Sequence, residues 1–120
     1  PEPDDDLAEW DYGEFEGRTT DEIRTSLKDP AWSVWTATAG LGESLETVGQ
    51  RADRVLARCR PTVDDGADVV LVAHAHLLRI LTAVWLGMGP GGGAHLVLGP
   101  AGTGVLGYER ATPALLAWNG

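Results

Sequence analysis

The sequence has 120 residues, a length that fits one domain. Its 18 acidic and 9 basic residues give a formal net charge of −9, and acidic residues crowd positions 1–17. So acidic a chain lacks the basic surface that DNA or RNA binding requires, and no apolar run approaches the ~18 residues of a membrane span. Small anionic ligands are not excluded, because a few local donors can outweigh net charge at one site. We expect a cytoplasmic protein without nucleic acid or membrane partners.

The first half of the chain predicts two helices. Residues 19–29 begin with the spacing of a capping box, Thr19 followed by Glu22. Residues 43–60 carry apolar side chains at helical spacing, with Ser44 as the expected N-cap. The single cysteine, Cys59, has no internal disulfide partner, and we expect it to be structural.

The second half predicts strands around one further helix. Residues 68–73 form a continuous apolar, β-branched run, typical of a strand covered on both faces in a parallel sheet. A helix over 76–88 follows, and then three short strands over 95–99, 103–109 and 114–119. This order predicts an α/β fold with a mostly parallel sheet flanked by helices.

His74 lies where the strand 68–73 is expected to meet the next helix. In open α/β sheets ligands bind beyond the carboxyl ends of the strands, and a helix that begins there offers free N–H groups and the positive end of its dipole. An imidazole at this point can donate to phosphate oxygens, with Arg79 as support. By itself the stretch is equally compatible with a packed or capping His74, and structural roles are the better interpretation for His76 and His95.

The pattern His74-Ala75-His76 also suits zinc, as in barrel-type hydrolases. Such barrels need ~250 residues, and His95 and Cys59 do not supply a further ligand cluster. If residue 76 is helical, its side chain also turns away from that of residue 74. We therefore expect no metal.

The acidic stretch "LAEWDYGEFEG", residues 7–17, is a second candidate for chemistry. Glu9 stands next to Trp10 and before a glycine turn, an arrangement that can hold a general acid near an apolar wall. A solvated acidic loop explains the stretch nearly as well.

Taken together, these motifs resemble the histidine phosphatase superfamily, which includes cofactor-dependent phosphoglycerate mutases and many bacterial acid phosphatases. The resemblance rests on Leu-x-Glu-x-x-Tyr-Gly-x-x-Glu-Gly at 7–17, on Gly-Glu-Ser at 42–44, and on an apolar strand followed by His74 and Arg79. Order and spacing match from Leu7 to about Trp118. The chain looks most similar to small actinobacterial phosphatases described as phosphoglycerate mutase-like.

The resemblance implies roles for individual residues. Glu9 matches the proton donor, and His74 matches the second active-site histidine, which binds the transferring phosphoryl group. Ala75 replaces the glycine that usually follows this histidine, a change that a helical backbone tolerates. Contacts with substrate are implied for Tyr12, Ser44, Ala75 and Arg79.

One part of the family pattern is missing. The family's nucleophilic histidine lies in an Arg-His-Gly motif at the end of the first strand, and these 120 residues contain no Arg-His pair. Since the chain also begins at Pro1, we expect residues 1–120 to be one partial domain with an incomplete phosphoglycerate mutase-like fold.

The resemblance implies metal-independent, cofactor-free hydrolysis of a small phosphomonoester through a phosphohistidine. A mutase-type phosphotransferase and a non-catalytic binding remnant are the alternatives, and the few basic residues in 18–44 favour hydrolysis. By itself this piece is expected to be inactive and to self-associate, with a homodimer as one form, because the lost strand would leave 68–73 uncovered.

Overall fold

The computed structural model describes all residues, 1–120. Its regular elements are α1 (Thr20–Leu27), α2 (Leu45–Asp64), α3 (Ala75–Trp85), β1 (Gly104–Glu109) and β2 (Thr112–Trp118). Short 3₁₀ helices lie at Asp5–Leu7, Gly13–Phe15 and Pro90–His95. The fold is α/β, as predicted, and none of its helices is long and apolar enough to cross a membrane.

Local capping sets the start of α1. The N–H of Glu22 donates to the Thr19 hydroxyl at 3.1 Å, and the Glu22 carboxylate accepts from the Thr19 N–H at 3.4 Å. This pair is the capping box that the sequence predicts. α1 then buries Ile23 against Phe15 and Trp32 in a small apolar cluster of its own.

The start of α2 is also predicted correctly, but its end is not. The Ser44 hydroxyl accepts from the Thr47 N–H at 3.1 Å, which makes Ser44 the N-cap. The helix continues past the predicted end at residue 60, through Pro61, to Asp64. Proline lacks an N–H but keeps its carbonyl, so Pro61 costs one hydrogen bond late in the helix and still accepts from Asp65 at 3.1 Å.

The main core lies between α2 and α3, with Trp10 packed against both. Buried apolar side chains recur at helical spacing on each helix, and the fully buried ones include Val48 and Val55 of α2 and Leu77 and Ile80 of α3. In all, 17 of the 120 residues are buried, and the molecule measures 51 × 25 × 24 Å. The core is therefore small and drawn out along one axis.

Residues 68–73 are not a strand, which corrects the prediction. Val70 and Val72 are 85% and 84% exposed, while Leu71 and Ala73 pack against the core. Side chains thus alternate as they do on a strand, but no neighbouring strand is there to accept the backbone hydrogen bonds. β-structure requires such a partner, and the apolar run alone does not provide it.

The sheet also differs from the prediction. β1 and β2 pair antiparallel through the two-residue turn Arg110-Ala111, with an irregularity between Val105 and Leu106. These strands confirm the ones expected over 103–109 and 114–119. Residues 95–99 are not a strand: His95 ends the 3₁₀ helix Pro90–His95, and the sheet consists of β1 and β2 alone. The sheet of the structure is antiparallel, and the mostly parallel sheet was expected because one apolar run was interpreted as a paired strand.

Candidate active site

The carboxylate of Glu9 sits on the first turn of α3. Its Oε1 accepts from the Leu77 N–H at 2.9 Å and from the Trp10 N–H at 3.0 Å, and its Oε2 accepts from the His76 N–H at 3.2 Å. Free N–H groups at a helix start bind anions, and here a side chain 68 residues away along the chain takes that position. The sequence-predicted acid is thus brought to the sequence-predicted anion site.

His74 is the N-cap residue of α3, with extended backbone angles of φ −118° and ψ 159°. Its side chain is exposed and makes no capping hydrogen bond, so the imidazole is free to meet a ligand. Its carbonyl accepts from the Leu78 N–H at 2.9 Å. Ala75, the first residue of α3, is exposed at the same point. The Glu9 carboxylate, His74 and Ala75 therefore lie at the same end of α3.

Tyr12 and His76 form a second group beside Glu9. The Tyr12 hydroxyl is hydrogen-bonded to Nδ1 of His76. The His76 ring also meets Trp10 and Trp35 edge-on, with ring centroids 6.0 and 5.3 Å apart. His76 thus lies half-buried within an aromatic cage and is not directed at a ligand alongside His74.

Burial governs the protonation of both groups in this pair. It lowers the pKa of His76, with the charge of Arg79 acting in the same direction and that of Glu9 opposing it. It raises the pKa of Tyr12, and the negative charges of Glu9 and Glu16 raise it further. A neutral imidazole therefore faces a neutral phenol.

Arg79 is bound to the 3₁₀ helix that follows α3. Its Nε donates to the Gly93 carbonyl at 3.0 Å and its Nη2 to the Ala94 carbonyl at 3.3 Å. The guanidinium also lies 4.9 Å from the ring centroid of Trp35. It therefore joins α3 to the loop after it, and a substrate contact from Arg79 stays a prediction.

A buried arginine that sequence reasoning missed fixes the backbone of the acidic segment. Arg51 is 9% exposed. Its Nη1 donates to the carbonyls of Asp6 and Ala8 at 2.7 and 2.9 Å, and its Nη2 donates to that of Glu9 at 3.5 Å. Its Nε and Nη2 also bind the two Glu43 oxygens at 2.9 and 3.0 Å. Such a bidentate pair is specific in geometry. Arg51 therefore fixes the backbone position from which the Glu9 side chain extends.

Glu43 is the other member of this bidentate pair, which we call the Arg51–Glu43 clamp. Its carboxylate accepts from the Asp11 N–H at 2.9 Å, and its carbonyl accepts from the indole N–H of Trp10 at 3.0 Å. Burial alone would raise the pKa of Glu43, but the Arg51 guanidinium and the Asp11 N–H outweigh it and hold the pKa below its ordinary value. The Gly-Glu-Ser motif thus serves to anchor residues 9–11.

The neighbours of Glu43 in this motif have structural contacts too. A Cβ on Gly42 would lie 2.2 Å from the Asp11 carboxyl group, so a larger residue at position 42 would require that side chain to move. The hydroxyl of Ser44 is engaged at the start of α2, as described above. A substrate contact from Ser44 stays a prediction, and the contact that the structure provides for it is the cap.

The sequence carried a weak indication of the Arg51–Glu43 clamp. Position 51 falls between Val48 and Val55 on the apolar side of α2, where an unpaired charge would be costly. The link between Tyr12 and His76 had no such indication, since 64 residues separate them. The structure contains no cluster of three or more His, Cys, Asp or Glu side chains placed to hold a metal ion.

Comparison with known proteins relates this chain to a family of phosphatases. The family model described as histidine phosphatase superfamily (branch 1) matches residues 1–120. An acid phosphatase of Mycobacterium tuberculosis is 37% identical over 109 residues, which cover 91% of this chain and 52% of that protein. A sedoheptulose 1,7-bisphosphatase of Saccharomyces cerevisiae is 37% identical over 98 residues, covering 72% of this chain and 36% of that protein.

Solved structures agree with the sequence comparison. The product of an open reading frame of Mycobacterium tuberculosis matches with a TM-score of 0.86 at 35% identity, covering 95% of this chain and 57% of that one. An alpha-ribazole phosphatase from Shigella flexneri matches with a TM-score of 0.72, covering 98% of this chain and 59% of that one. At 20% identity the second likeness shows the fold alone.

The chain spans about half, or less, of the curated relatives it matches. Within that span the family model covers every residue of the site described above, from Glu9 to Arg79. The chain belongs to the histidine phosphatase superfamily.

Proposed function

We propose that the protein containing this chain is a metal-independent phosphatase that hydrolyses small phosphomonoesters through a phosphohistidine. The observation that carries the proposal is the Glu9 carboxylate on the N–H groups of His76 and Leu77, at the start of the helix whose N-cap is the exposed His74. A carboxyl group, an imidazole and a helix N-terminus at one point can bind a phosphoryl group and exchange a proton with it.

The proposed chemistry has two steps. A histidine supplied by residues outside 1–120 attacks phosphorus, an N–P bond forms, and the P–O bond to the leaving group breaks. His74 and the first N–H groups of α3 hold the equatorial oxygens, over which charge is spread in the transition state. Glu9 gives its proton to the leaving oxygen and then takes one from the water that cleaves the N–P bond.

Substrate binding at this site is an exchange of anions. The N–H groups of His76 and Leu77 that hold the Glu9 carboxylate are the donors that a phosphate oxygen would use. An arriving phosphate displaces the carboxylate from these donors and leaves it beside the ester oxygen. Glu9 thus moves from a capping position to the position that its proposed role requires.

Hydrolysis is favoured over a mutase-type transfer, which needs basic side chains for a second anion. Of the basic residues in 18–44, Arg24 donates to the Trp32 carbonyl at 2.8 Å, and the Arg18 guanidinium lies 5.9 Å from the Phe15 ring centroid. Two of the three cations in this segment thus already have partners, and Lys28 alone is an open candidate.

The test uses the full-length protein with an alkyl phosphate and an aryl phosphate as substrates. We expect Glu9→Gln to lower kcat on the alkyl phosphate by roughly 10²- to 10⁴-fold, and His74→Ala to lower it by roughly 10²- to 10³-fold on both substrates. EDTA should leave turnover unchanged. Glu46→Gln and His95→Ala change exposed side chains and serve as controls. Equal losses in the controls, or loss of turnover in EDTA, would contradict the proposal.

Residues 1–120 expressed alone provide the complementary test. We expect them to hydrolyse an aryl phosphate no faster than background, because no Arg-His pair supplies the nucleophile. Turnover above background that His74→Ala abolishes would show that this piece carries its own nucleophile. Lack of turnover in the full-length protein as well would favour the non-catalytic binding remnant.

A further inference from the structure

The hydrogen bonds of the Glu9 carboxylate all come from backbone N–H groups. One donor is the N–H of Trp10, the next residue in the chain, and the other two are the N–H groups of His76 and Leu77 on α3. In the proposed reaction an arriving phosphate takes over the two donors on α3. At the acid step the position of the carboxyl group therefore depends on the backbone that carries it.

The Arg51–Glu43 clamp holds that backbone on both sides of Glu9. Before Glu9, Nη1 of Arg51 donates to the Ala8 carbonyl at 2.9 Å. After Glu9, the Asp11 N–H donates to the Glu43 carboxylate at 2.9 Å, and the Asp11 carbonyl accepts from the Glu43 N–H at 3.0 Å. The clamp thus binds the chain within two residues of Glu9 in either direction.

The clamp also connects Glu9 to the two helices that form the main core. Arg51 belongs to α2, and Glu43 directly precedes Ser44, the N-cap of α2. α2 packs against α3, and α3 begins at His74 with the N–H groups proposed to hold phosphate. The clamp therefore fixes the backbone of Glu9 relative to the phosphate site without touching that site.

The burial of Arg51 indicates that placement is what this side chain adds. It is 9% exposed, on the apolar side of α2, where the cost of removing a charged pair from water offsets much of its attraction. An apolar side chain could also fill the space. Only the planar guanidinium fork provides donors in fixed directions for both a carboxylate and nearby carbonyls.

We propose that Arg51 and Glu43 are positioning residues for the acid step, holding the backbone of Glu9 so that its displaced carboxyl group stays within reach of the leaving oxygen. The inference rests on the proposed function, in which Glu9 gives its proton to that oxygen as the P–O bond breaks. Arg51 and Glu43 exchange no proton in this role and contact no substrate.

The experiment compares substrates that differ in their need for a proton. Lysine keeps the charge of Arg51 but lacks the planar fork, so Arg51→Lys loosens the clamp. In the full-length protein we expect it to lower kcat on an alkyl phosphate roughly 10- to 100-fold, the cost of a misplacement of about 1 Å. On a nitrophenyl phosphate, whose leaving group needs no proton, kcat should change little. KM should change little on both substrates.

Two controls separate placement from stability. Arg54→Lys is the same substitution one turn along α2, at a side chain that is 54% exposed and binds the Asp6 carboxylate, and it should leave both rates unchanged. Val55→Ala truncates a buried side chain of α2 that has no part in the clamp. It should lower the free energy of unfolding and leave the ratio of the two rates unchanged. A shift in this ratio as large as that of Arg51→Lys, in either control, would overturn the inference.

Glu43→Gln guards against an Arg51 variant that does not fold. It removes the charge that pairs with the guanidinium and should produce a smaller loss of the same kind, confined to the alkyl phosphate. An equal fall on both substrates in these clamp variants would mean that the clamp supports the fold alone and would overturn the inference.

Glu9→Gln distinguishes failure of the inference from failure of the proposed function. In the Glu9→Gln background, Arg51→Lys should cost nothing further on the alkyl phosphate, because no proton is left to place. A further loss as large as in the wild type would overturn the inference and leave the role of Glu9 intact. Equal losses on both substrates from Glu9→Gln alone would instead refute the proposed acid step.

Discussion

The two sides of α3 differ in how far their side chains are partnered. On one side His76 is hydrogen-bonded to Tyr12, and Arg79 donates to a backbone carbonyl and lies against the Trp35 ring. On the other side α3 borders an apolar cavity of about 560 Å³, lined by Leu78, Leu81, Thr82 and Trp85 together with residues of α2, of 68–71 and of β1.

This difference shows which interactions a short chain can complete. The hydrogen bonds of the site need only donors and acceptors that residues 6–94 already contain. An apolar surface, in contrast, requires area to cover it, and Val70 and Val72 remain 85% and 84% exposed. Further chain or a second copy would therefore find most of the uncovered apolar surface on the cavity side.

Breaking the clamp should be the most costly single change on the site side. Arg51→Met leaves the Glu43 carboxylate and the carbonyls of Asp6 and Ala8 without their donor, and we expect it to lower the free energy of unfolding by about 3–5 kcal/mol. Urea denaturation of the full-length protein measures this. Arg54→Met removes an exposed partner of Asp6 and should change little, so equal losses would refute a special role for the clamp.

A pair of apolar truncations compares the two sides directly. Leu77 is fully buried, and Leu77→Ala should cost about 2–5 kcal/mol. Val70→Ala in residues 1–120 should change the free energy of unfolding by less than about 0.5 kcal/mol, because the side chain is already exposed. A cost for Val70→Ala similar to that of Leu77→Ala, again by urea denaturation, would show that 68–73 is covered in solution.

We expect the exposed apolar segment 68–73 to cause self-association. We propose that residues 1–120 associate through 68–73, because an apolar segment with unpaired backbone groups recruits other chains. Light scattering after size exclusion should give a mass above that of the monomer, falling when Val70 and Val72 are both replaced by lysine. A monomer before the change, or an unchanged oligomer after it, would contradict the prediction.

The smallest expected effect is a pH dependence from His76. Burial lowers its pKa below the ordinary 6.5, so the unfolded chain binds a proton more readily than the folded one. The free energy of unfolding should therefore be highest above pH 6.5 and decline as the pH falls through that value towards the folded-state pKa. Thermal unfolding of the full-length protein, measured at pH values above and below 6.5, gives the slope of stability against pH. This slope should flatten in His76→Asn and remain in His95→Asn.

Sequence reasoning was most successful where neighbours along the chain decide the structure. The capping box of Thr19, the N-cap Ser44 and the amphipathic spacing of α2 each depend on residues within a few positions, and each is confirmed. The family was also predictable, because its motifs keep their order along the chain. The prediction of a strand over 68–73 was wrong, because an apolar run indicates a tendency to pair but does not supply the partner strand.

The sequence by itself therefore determined the helix starts, the amphipathic faces and the residue types of the site. Tertiary structure alone decided that Glu9 meets the N–H of Leu77, that Tyr12 bonds His76, and that Arg51 binds three carbonyls of the acidic segment. These contacts join residues more than 40 positions apart, and their geometry depends on how α2 and α3 pack. Local hydrogen bonds follow from spacing, whereas contacts across the fold depend on the path of the whole chain.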